Sequence, residues 1–113
     1  MDNKYELVIC IVNAGFSQNV MEAARAAGAR GGTILRARGS ANAETAEFFN
    51  ITIRPDKEMV MILVDAGIKD EVMKTVYKSA GLGGEAQGIA FSLPVSRTTT
   101  LKKEPVTEAA PEK

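Results

Sequence analysis

The sequence predicts an α+β domain of the ferredoxin-like type, with element order βαββαβ and an antiparallel sheet carrying two helices on one face. Apolar runs of strand length alternate with segments of helical periodicity. The 113 residues, 45% of them hydrophobic, suffice for one compact domain but not two. The strands are apolar on more than one parity, so the sheet face without helices also needs burial, which oligomerisation would supply.

Composition excludes several classes of function. Lys plus Arg and Asp plus Glu balance at 14 each, so no overall field favours nucleic acid or an anionic membrane. The absence of histidine removes Ser-His-Asp and Cys-His nucleophiles and nearly every common zinc site. The acidic pairs lie in polar stretches, where solvated surfaces are the expected role. A single cysteine fits a reducing compartment, and neither a signal peptide nor a membrane span is evident. We therefore expect a cytoplasmic protein that is not an enzyme.

The first part of the chain predicts a strand and a helix. Residues 5–12 (YELVICIV) form a buried-strand pattern that is bounded by Asn13. Ser17 is placed to cap the N-terminus of the helix, which should stop at Gly28, a common left-handed residue after a helix. Cys10 lies within the apolar run and is expected to be a small buried side chain, not a reactive thiol.

The next segment, TILRARG, predicts a second strand in which Arg36 and Arg38 share one face. These arginines face solvent or an acidic neighbour, or they present positive charge to an anionic ligand where the strand ends.

Residues 39–50 are small and polar and predict a short excursion from the sheet that ends in two phenylalanines. If exposed, the two rings would mark a docking surface, whereas the alternative is that they fold back under the loop. The predicted partner-binding residues are Glu44, Glu47, Phe48 and Phe49.

The sequence after the excursion predicts a hairpin and a helix. Pro55-Asp56-Lys57 has turn chemistry between residues 51–53 and a strand at 59–64. The helix that follows has an apolar stripe at Ile68, Val72, Val76 and Ala80.

A glycine-rich stretch, GLGGEAQG at residues 81–88, separates that helix from a final strand at 89–95, IAFSLPV. Consecutive backbone N–H groups in such a turn can form an anion nest, and glycine lets an anion approach closely. The alternative is an ordinary helix-to-strand turn with no ligand.

Three stretches together resemble the PII signal-transduction family, the nitrogen regulatory proteins P-II, over roughly residues 4–102. They are GARGGTILRARG, MILVDAGIKDEVMKTVYKSAG and GLGGEAQGIAFSLPVS. The resemblance implies a homotrimer with the sheets inside and the helices outside. We expect a PII-like domain at residues 1–101 and a mobile polar tail at residues 102–113, with a signalling loop shorter than the family's usual one.

The resemblance also implies a function. Members of the family bind ATP or ADP between subunits, many sense 2-oxoglutarate, and they report through the loop between the second and third strands. This chain would be a regulator with an adenine nucleotide (ATP, ADP or AMP) as effector. Its partner would be a membrane transporter, which would recruit it to the membrane, or a metabolic enzyme. The predicted ligand-binding residues are Thr33, Arg38, Gly39, Ser40, Leu63, Gly83, Gly84, Glu85, Ala86, Gln87 and Gly88, with Thr100 and Lys102 supplied by the neighbouring subunit.

Several positions depart from the family pattern. Ile89 replaces a lysine after the last loop glycine, and Ala43 replaces a glutamine that coordinates metal for 2-oxoglutarate. Thr100 and Lys102 stand where arginines are usual. Each lost cation removes a contact worth roughly 1.5–3 kcal/mol, so a different or less charged ligand is expected. Two alternatives remain: a trimeric metal-tolerance-type protein, which the lack of histidine disfavours, and a scaffold without a ligand.

Overall fold

The computed structural model describes residues 4–40, 55–81 and 83–99. The elements are β1 (Tyr5–Asn13), α1 (Ser17–Ala26), β2 (Thr33–Arg38), β3 (Asp56–Asp65), a short 3₁₀ helix (Ala66–Ile68), α2 (Lys69–Ala80) and β4 (Ile89–Val95). They form a four-stranded sheet in the order β2-β3-β1-β4, and all three pairings are antiparallel. This arrangement confirms the predicted ferredoxin-like fold. Within the described ranges, no helix is both long and apolar enough to cross a membrane.

The core lies between the sheet and the two helices. Alternate residues of β1 and β3 point toward the helices, and the register pairs Cys10 with Val60 and Val8 with Ile62. The buried residues of these two strands are Val8, Cys10, Val12, Val60, Ile62 and Val64. Burial raises the pKa of the Cys10 thiol to about 11, so the thiol stays protonated and packs as a small apolar group, as predicted.

Each helix contributes its apolar stripe to this core. Val20 and Ala24 of α1 are buried, as are Val72, Val76 and Ala80 of α2. The spacing of three and four residues between buried positions is the one that the sequence predicts for helices on a sheet.

The opposite face of the sheet is also apolar, and no helix or strand of the described residues covers it. Leu7, Ile9 and Ile11 of β1 are half-buried here, and the register places them beside β3 on one side and β4 on the other. The neighbouring apolar residues of this face are Leu35, Met59, Met61, Leu63, Ile89, Phe91 and Leu93. We call this surface the open face. Its hydrophobic character is the one that the sequence predicts for a second buried surface.

One predicted turn is wrong. Asp56 and Lys57 do not turn the chain but begin β3, where they pair with Arg38 and Ala37 of β2. Cross-strand pairing therefore overrides the local turn preference of Pro-Asp-Lys. The predicted strand at residues 51–53 lies outside the described residues.

The predicted Ser17 cap is also wrong, although the predicted end of α1 is confirmed. Phe16 occupies the cap position without a side-chain cap bond, and Ser17 is already helical. A side chain from β3 replaces the cap: Oε1 of Glu58 accepts from the backbone N–H groups of Gly15 (3.1 Å) and Ser17 (3.2 Å). At the other end, Gly28 has a φ of 110°, as expected of a glycine that ends a helix.

Candidate ligand-binding site

The glycine loop between α2 and β4 is compact and closed by its own backbone. The N–H of Gly88 donates to the carbonyl of Ala80 (2.9 Å), and Gly81 and Gly88 form an isolated parallel bridge. Inside the loop, Gly84 donates to Gly81 and Gln87 donates to Gly84, both at 3.1 Å. The loop therefore presents a fixed backbone surface.

The glycines of this loop fall into two groups. A side chain at Gly88 would collide with the Ala80 carbonyl oxygen and lie 2.7 Å from Cγ1 of Val12, and one at Gly81 would lie 2.6 Å from the Tyr77 carbonyl oxygen. Close packing thus requires both terminal glycines. Gly83 has open space around the missing side chain, and Gly84 has only an ordinary contact at 3.7 Å. Packing does not require glycine at either middle position, where a ligand could approach.

Asn13, at the end of β1, anchors the glycine loop through hydrogen bonds. Its backbone N–H donates to the carbonyl of Ala86 (2.8 Å), and its side-chain Nδ2 donates to the carbonyl of Glu85 (2.9 Å). Its Oδ1 accepts from Nζ of Lys57 (2.7 Å), and Asn13 has no exposed surface. Sequence reasoning missed both residues as part of the site; the available signal was a polar residue directly after a buried strand.

Three N–H groups of the loop, those of Gly83, Glu85 and Ala86, donate to no acceptor among the described residues. They belong to the stretch of the loop that the terminal glycines hold in place. Backbone N–H groups left in this way are the donors from which anion nests are built. The carboxylate of Glu85 lies in the same stretch and opposes a highly charged anion.

The end of β2 is linked to the glycine loop through Lys57 and Asn13. Gly39 lies against the Lys57 side-chain stem and donates its N–H to the carbonyl of Pro55 (2.9 Å). Because Lys57 also contacts Asn13, Gly39 and the glycine loop lie at the same end of the sheet. Ser40, which follows, is exposed.

The arginines of β2 face acidic neighbours. Nη1 of Arg38 lies 3.8 Å from Oδ1 of Asp56, and both side chains are 78% exposed, so the pair contributes little to stability. Arg36 pairs in register with Glu58.

Two other predicted ligand residues lie away from this end of the sheet. Thr33 begins β2 and pairs with Met61, and Leu63 pairs with Leu7. At about 3.3 Å per residue, Thr33 is roughly 17 Å along the strand from Arg38. Leu63 lines a small cavity of about 130 Å³, together with Tyr5, Arg30 and Asp65 among others. One chain therefore does not bring Thr33 and Leu63 to the glycine loop.

The remaining predicted site residues lie outside the described residues: Glu44, Glu47, Phe48, Phe49, Thr100 and Lys102. Within the described ranges, no group of three or more His, Cys, Asp or Glu residues is arranged to hold a metal ion.

A family model described as "Nitrogen regulatory protein P-II" matches residues 5–105. The chain belongs to the P-II family. The predicted resemblance is thereby confirmed, and the glycine loop and the end of β2 lie within the matched P-II region. None of the curated proteins compared with the chain matches it.

Solved structures agree with membership of the P-II family. PII from Arabidopsis thaliana bound to citrate is 29% identical, with a TM-score of 0.63, over 84% of this chain and 80% of that chain. The B. subtilis GlnK–ATP complex is 15% identical, with a TM-score of 0.64, over 85% of each chain. A Bacillus cereus protein related to NIF3 is 12% identical, with a TM-score of 0.65, over 84% of this chain and 26% of that chain. At their low identities, the last two show a shared fold alone.

Proposed function

We propose that this P-II protein is a non-catalytic regulator that forms a homotrimer and binds a small anionic effector between subunits. The observation that carries the proposal is the separation of the predicted ligand residues. Gly39 and the glycine loop lie at one end of the sheet, whereas Thr33 and Leu63 lie further along it, away from that end. A neighbouring copy can place the second set against the first, and the apolar open face provides a surface for such a contact.

An adenine nucleotide is the first effector to test. The N–H groups of Glu85 and Ala86 offer donors for phosphate oxygens, and Arg38 offers an exposed cation at the same end of the sheet. The B. subtilis GlnK structure contains ATP, and the A. thaliana PII structure contains citrate, so anions of both kinds occur in proteins of this fold.

The charge of the loop favours a less charged effector than ATP. Ile89 has no cation to offer, and Glu85 adds a negative charge beside the proposed anion position. For each nucleotide, the affinity for this protein can be compared with the affinity for other P-II proteins. We expect the reduction to be smaller for ADP or AMP than for ATP. Citrate and 2-oxoglutarate belong in the same ligand series.

The bound effector would regulate a partner through the segment that follows Gly39. Residues 40–54 connect two described positions, Gly39 and Pro55, that are hydrogen-bonded to each other. We assign partner contact to Glu44, Glu47, Phe48 and Phe49 within that segment. A membrane transporter, which would bring this cytoplasmic protein to the membrane, or a metabolic enzyme fits this role.

Calorimetry with ATP, ADP, AMP, citrate and 2-oxoglutarate tests the proposal. We expect at least one to bind the wild-type protein with one site per subunit, and ATP to remain unhydrolysed. Gly83→Val should weaken that binding roughly tenfold or more, because the side chain occupies the approach to the loop and removes a charge-assisted contact.

Asn19→Val is the matched control, since it also places a β-branched side chain at an exposed position, on α1, outside both sets of predicted ligand residues. It should leave affinity unchanged. Absence of binding by all five compounds, or equal loss in both variants, contradicts the proposed function.

A further inference from the structure

Asn13 joins a positive charge to the glycine loop through its buried amide. Lysine is only a donor, so the side-chain oxygen must face Lys57, and the amide nitrogen must then face the Glu85 carbonyl. The two contacts are 2.7 Å and 2.9 Å long. The orientation of the amide is therefore set by its partners on both sides.

The Glu85 carbonyl and the Ala86 N–H belong to one peptide group. In a trans peptide these two bonds point in opposite directions, so the bond from Asn13 to the carbonyl fixes the direction of the N–H. Ala86 is only 2% exposed, and its N–H has no acceptor among the described residues. A buried N–H without an acceptor is rare in folded proteins, which points to a ligand or a bound water.

The hydrogen bonds form one line from the ammonium of Lys57, through the amide of Asn13, to the peptide that ends in the Ala86 N–H. Each donor in such a chain polarises the next, because an amide whose oxygen accepts a hydrogen bond becomes a stronger donor through its nitrogen. A charged group at one end increases the effect.

We propose that Asn13 is a positioning residue that aims the Ala86 N–H at the bound anion and conveys to it the polarising effect of the Lys57 charge. The arrangement partly compensates for the cation that is missing at Ile89. The identity of the anion rests on the proposed function, whereas the orientation and polarisation of the N–H do not require a ligand.

The ligand-free protein provides the first test, by NMR of the Ala86 amide proton. Lys57→Met should move this resonance upfield, because Lys57 donates to Asn13, whose amide in turn bonds the peptide of Ala86, and Lys57→Arg should restore it. Lys74→Met, at an exposed lysine of α2, is the matched control and should leave the resonance unchanged. An Ala86 resonance that is the same in wild type and Lys57→Met overturns the proposal.

Calorimetry with ATP and citrate provides the second test. Lys57→Met and Asn13→Asp should each weaken binding roughly tenfold, since an interaction with a charged group is of that order. In Asn13→Asp, the carboxylate keeps an acceptor for Lys57 but repels the Glu85 carbonyl. Asn19→Asp adds the same charge at an exposed position of α1 and should have no effect.

The double variant separates an effect through Asn13 from direct contact between Lys57 and the anion. Asn13→Leu removes both hydrogen bonds of the amide. If the charge acts through Asn13, adding Lys57→Met to Asn13→Leu should reduce the affinity for the anion little further. Full additivity of the two losses overturns the proposal. If the wild-type protein binds neither ATP nor citrate, the proposed effector is wrong, and the NMR comparison alone decides the role of Asn13.

Discussion

Glu58 shows how one side chain can set both local structure and a pH dependence. Partial burial alone would raise its pKa, but hydrogen bonds from the Ser17 hydroxyl and from the N–H groups of Gly15 and Ser17, with the Arg36 charge, lower the pKa below its ordinary value. The carboxylate thus takes the place of an N-cap for α1, from a strand that lies 41 residues further along the chain than Ser17.

We predict that Glu58→Gln lowers the free energy of unfolding by about 1 kcal/mol near neutral pH, because a neutral amide oxygen accepts these hydrogen bonds more weakly than a carboxylate does. Because the folded-state pKa is depressed, the stabilisation is present above the unfolded-state pKa and is lost as pH falls through the folded-state pKa. The difference from wild type should therefore shrink in acid. Urea unfolding of the variant and of wild type, at neutral pH and in acid, measures this difference. Glu22→Gln, at an exposed position of α1, should change stability little, and an equal effect there contradicts the prediction.

The loop glycines provide a second prediction at the scale of single residues. Gly88→Ala forces a side chain against the Ala80 carbonyl and Val12, so we expect it to cost about 1–3 kcal/mol or more, the usual range for overpacking, or to prevent folding. Gly83→Ala meets nothing within 4 Å and should be nearly neutral. Thermal unfolding of the two variants checks the contrast. Equal stability would mean that the loop end is not packed as the structure describes.

At the scale of elements, hydrophobic periodicity predicts the strands and helices correctly, but it does not predict contacts between residues far apart in the chain. The strand at Ile89–Val95 and the buried stripe of α2 are where their apolar patterns predict. Asp56 and Lys57 look like a turn because local chemistry says nothing about β2 lying alongside. The local sequence indicates only that Asn13 ends a strand. Its hydrogen bond to Glu85 spans 72 residues, so local sequence could not predict it. The elements were therefore predictable, but the anchoring of the site was not.

The turn of the glycine loop carries a prediction at this scale. Gln87 has a φ of 51°, the only non-glycine in the described residues with a positive value. A β-branched residue is strongly disfavoured there, so Gln87→Val should cost about 1–2 kcal/mol, whereas Gln87→Gly should be neutral or stabilising. Chemical unfolding of the two variants tests this. Equal stability of the valine and glycine variants contradicts the prediction.

At the scale of the whole molecule, the two faces of the sheet differ in how they are covered. One is covered by α1 and α2, and the open face is apolar without cover from the described part of the chain. In a single chain, Phe91 is 41% exposed and Leu93 is 47% exposed, and both lie beside the half-buried residues of β1. Joined apolar residues of this kind usually mark an interface. The sequence indicated the need for burial, but the order and register of the strands were required to show that the residues form one surface.

The last prediction tests whether this surface holds the proposed trimer together and completes the proposed ligand site. Phe91→Glu places a charge in the open face, where burial against another copy would strongly disfavour it, so light scattering should show monomers. Tyr77→Glu makes the same kind of change at an aromatic residue that is 66% exposed on α2, and it should leave the trimer intact. Ligand binding should be lost with Phe91→Glu and kept with Tyr77→Glu, because the proposed site needs Thr33 and Leu63 from a neighbouring copy. A monomeric Phe91→Glu variant that binds its effector as well as wild type would place the whole site within one chain. A variant that remains trimeric would show that the subunits meet through a different surface.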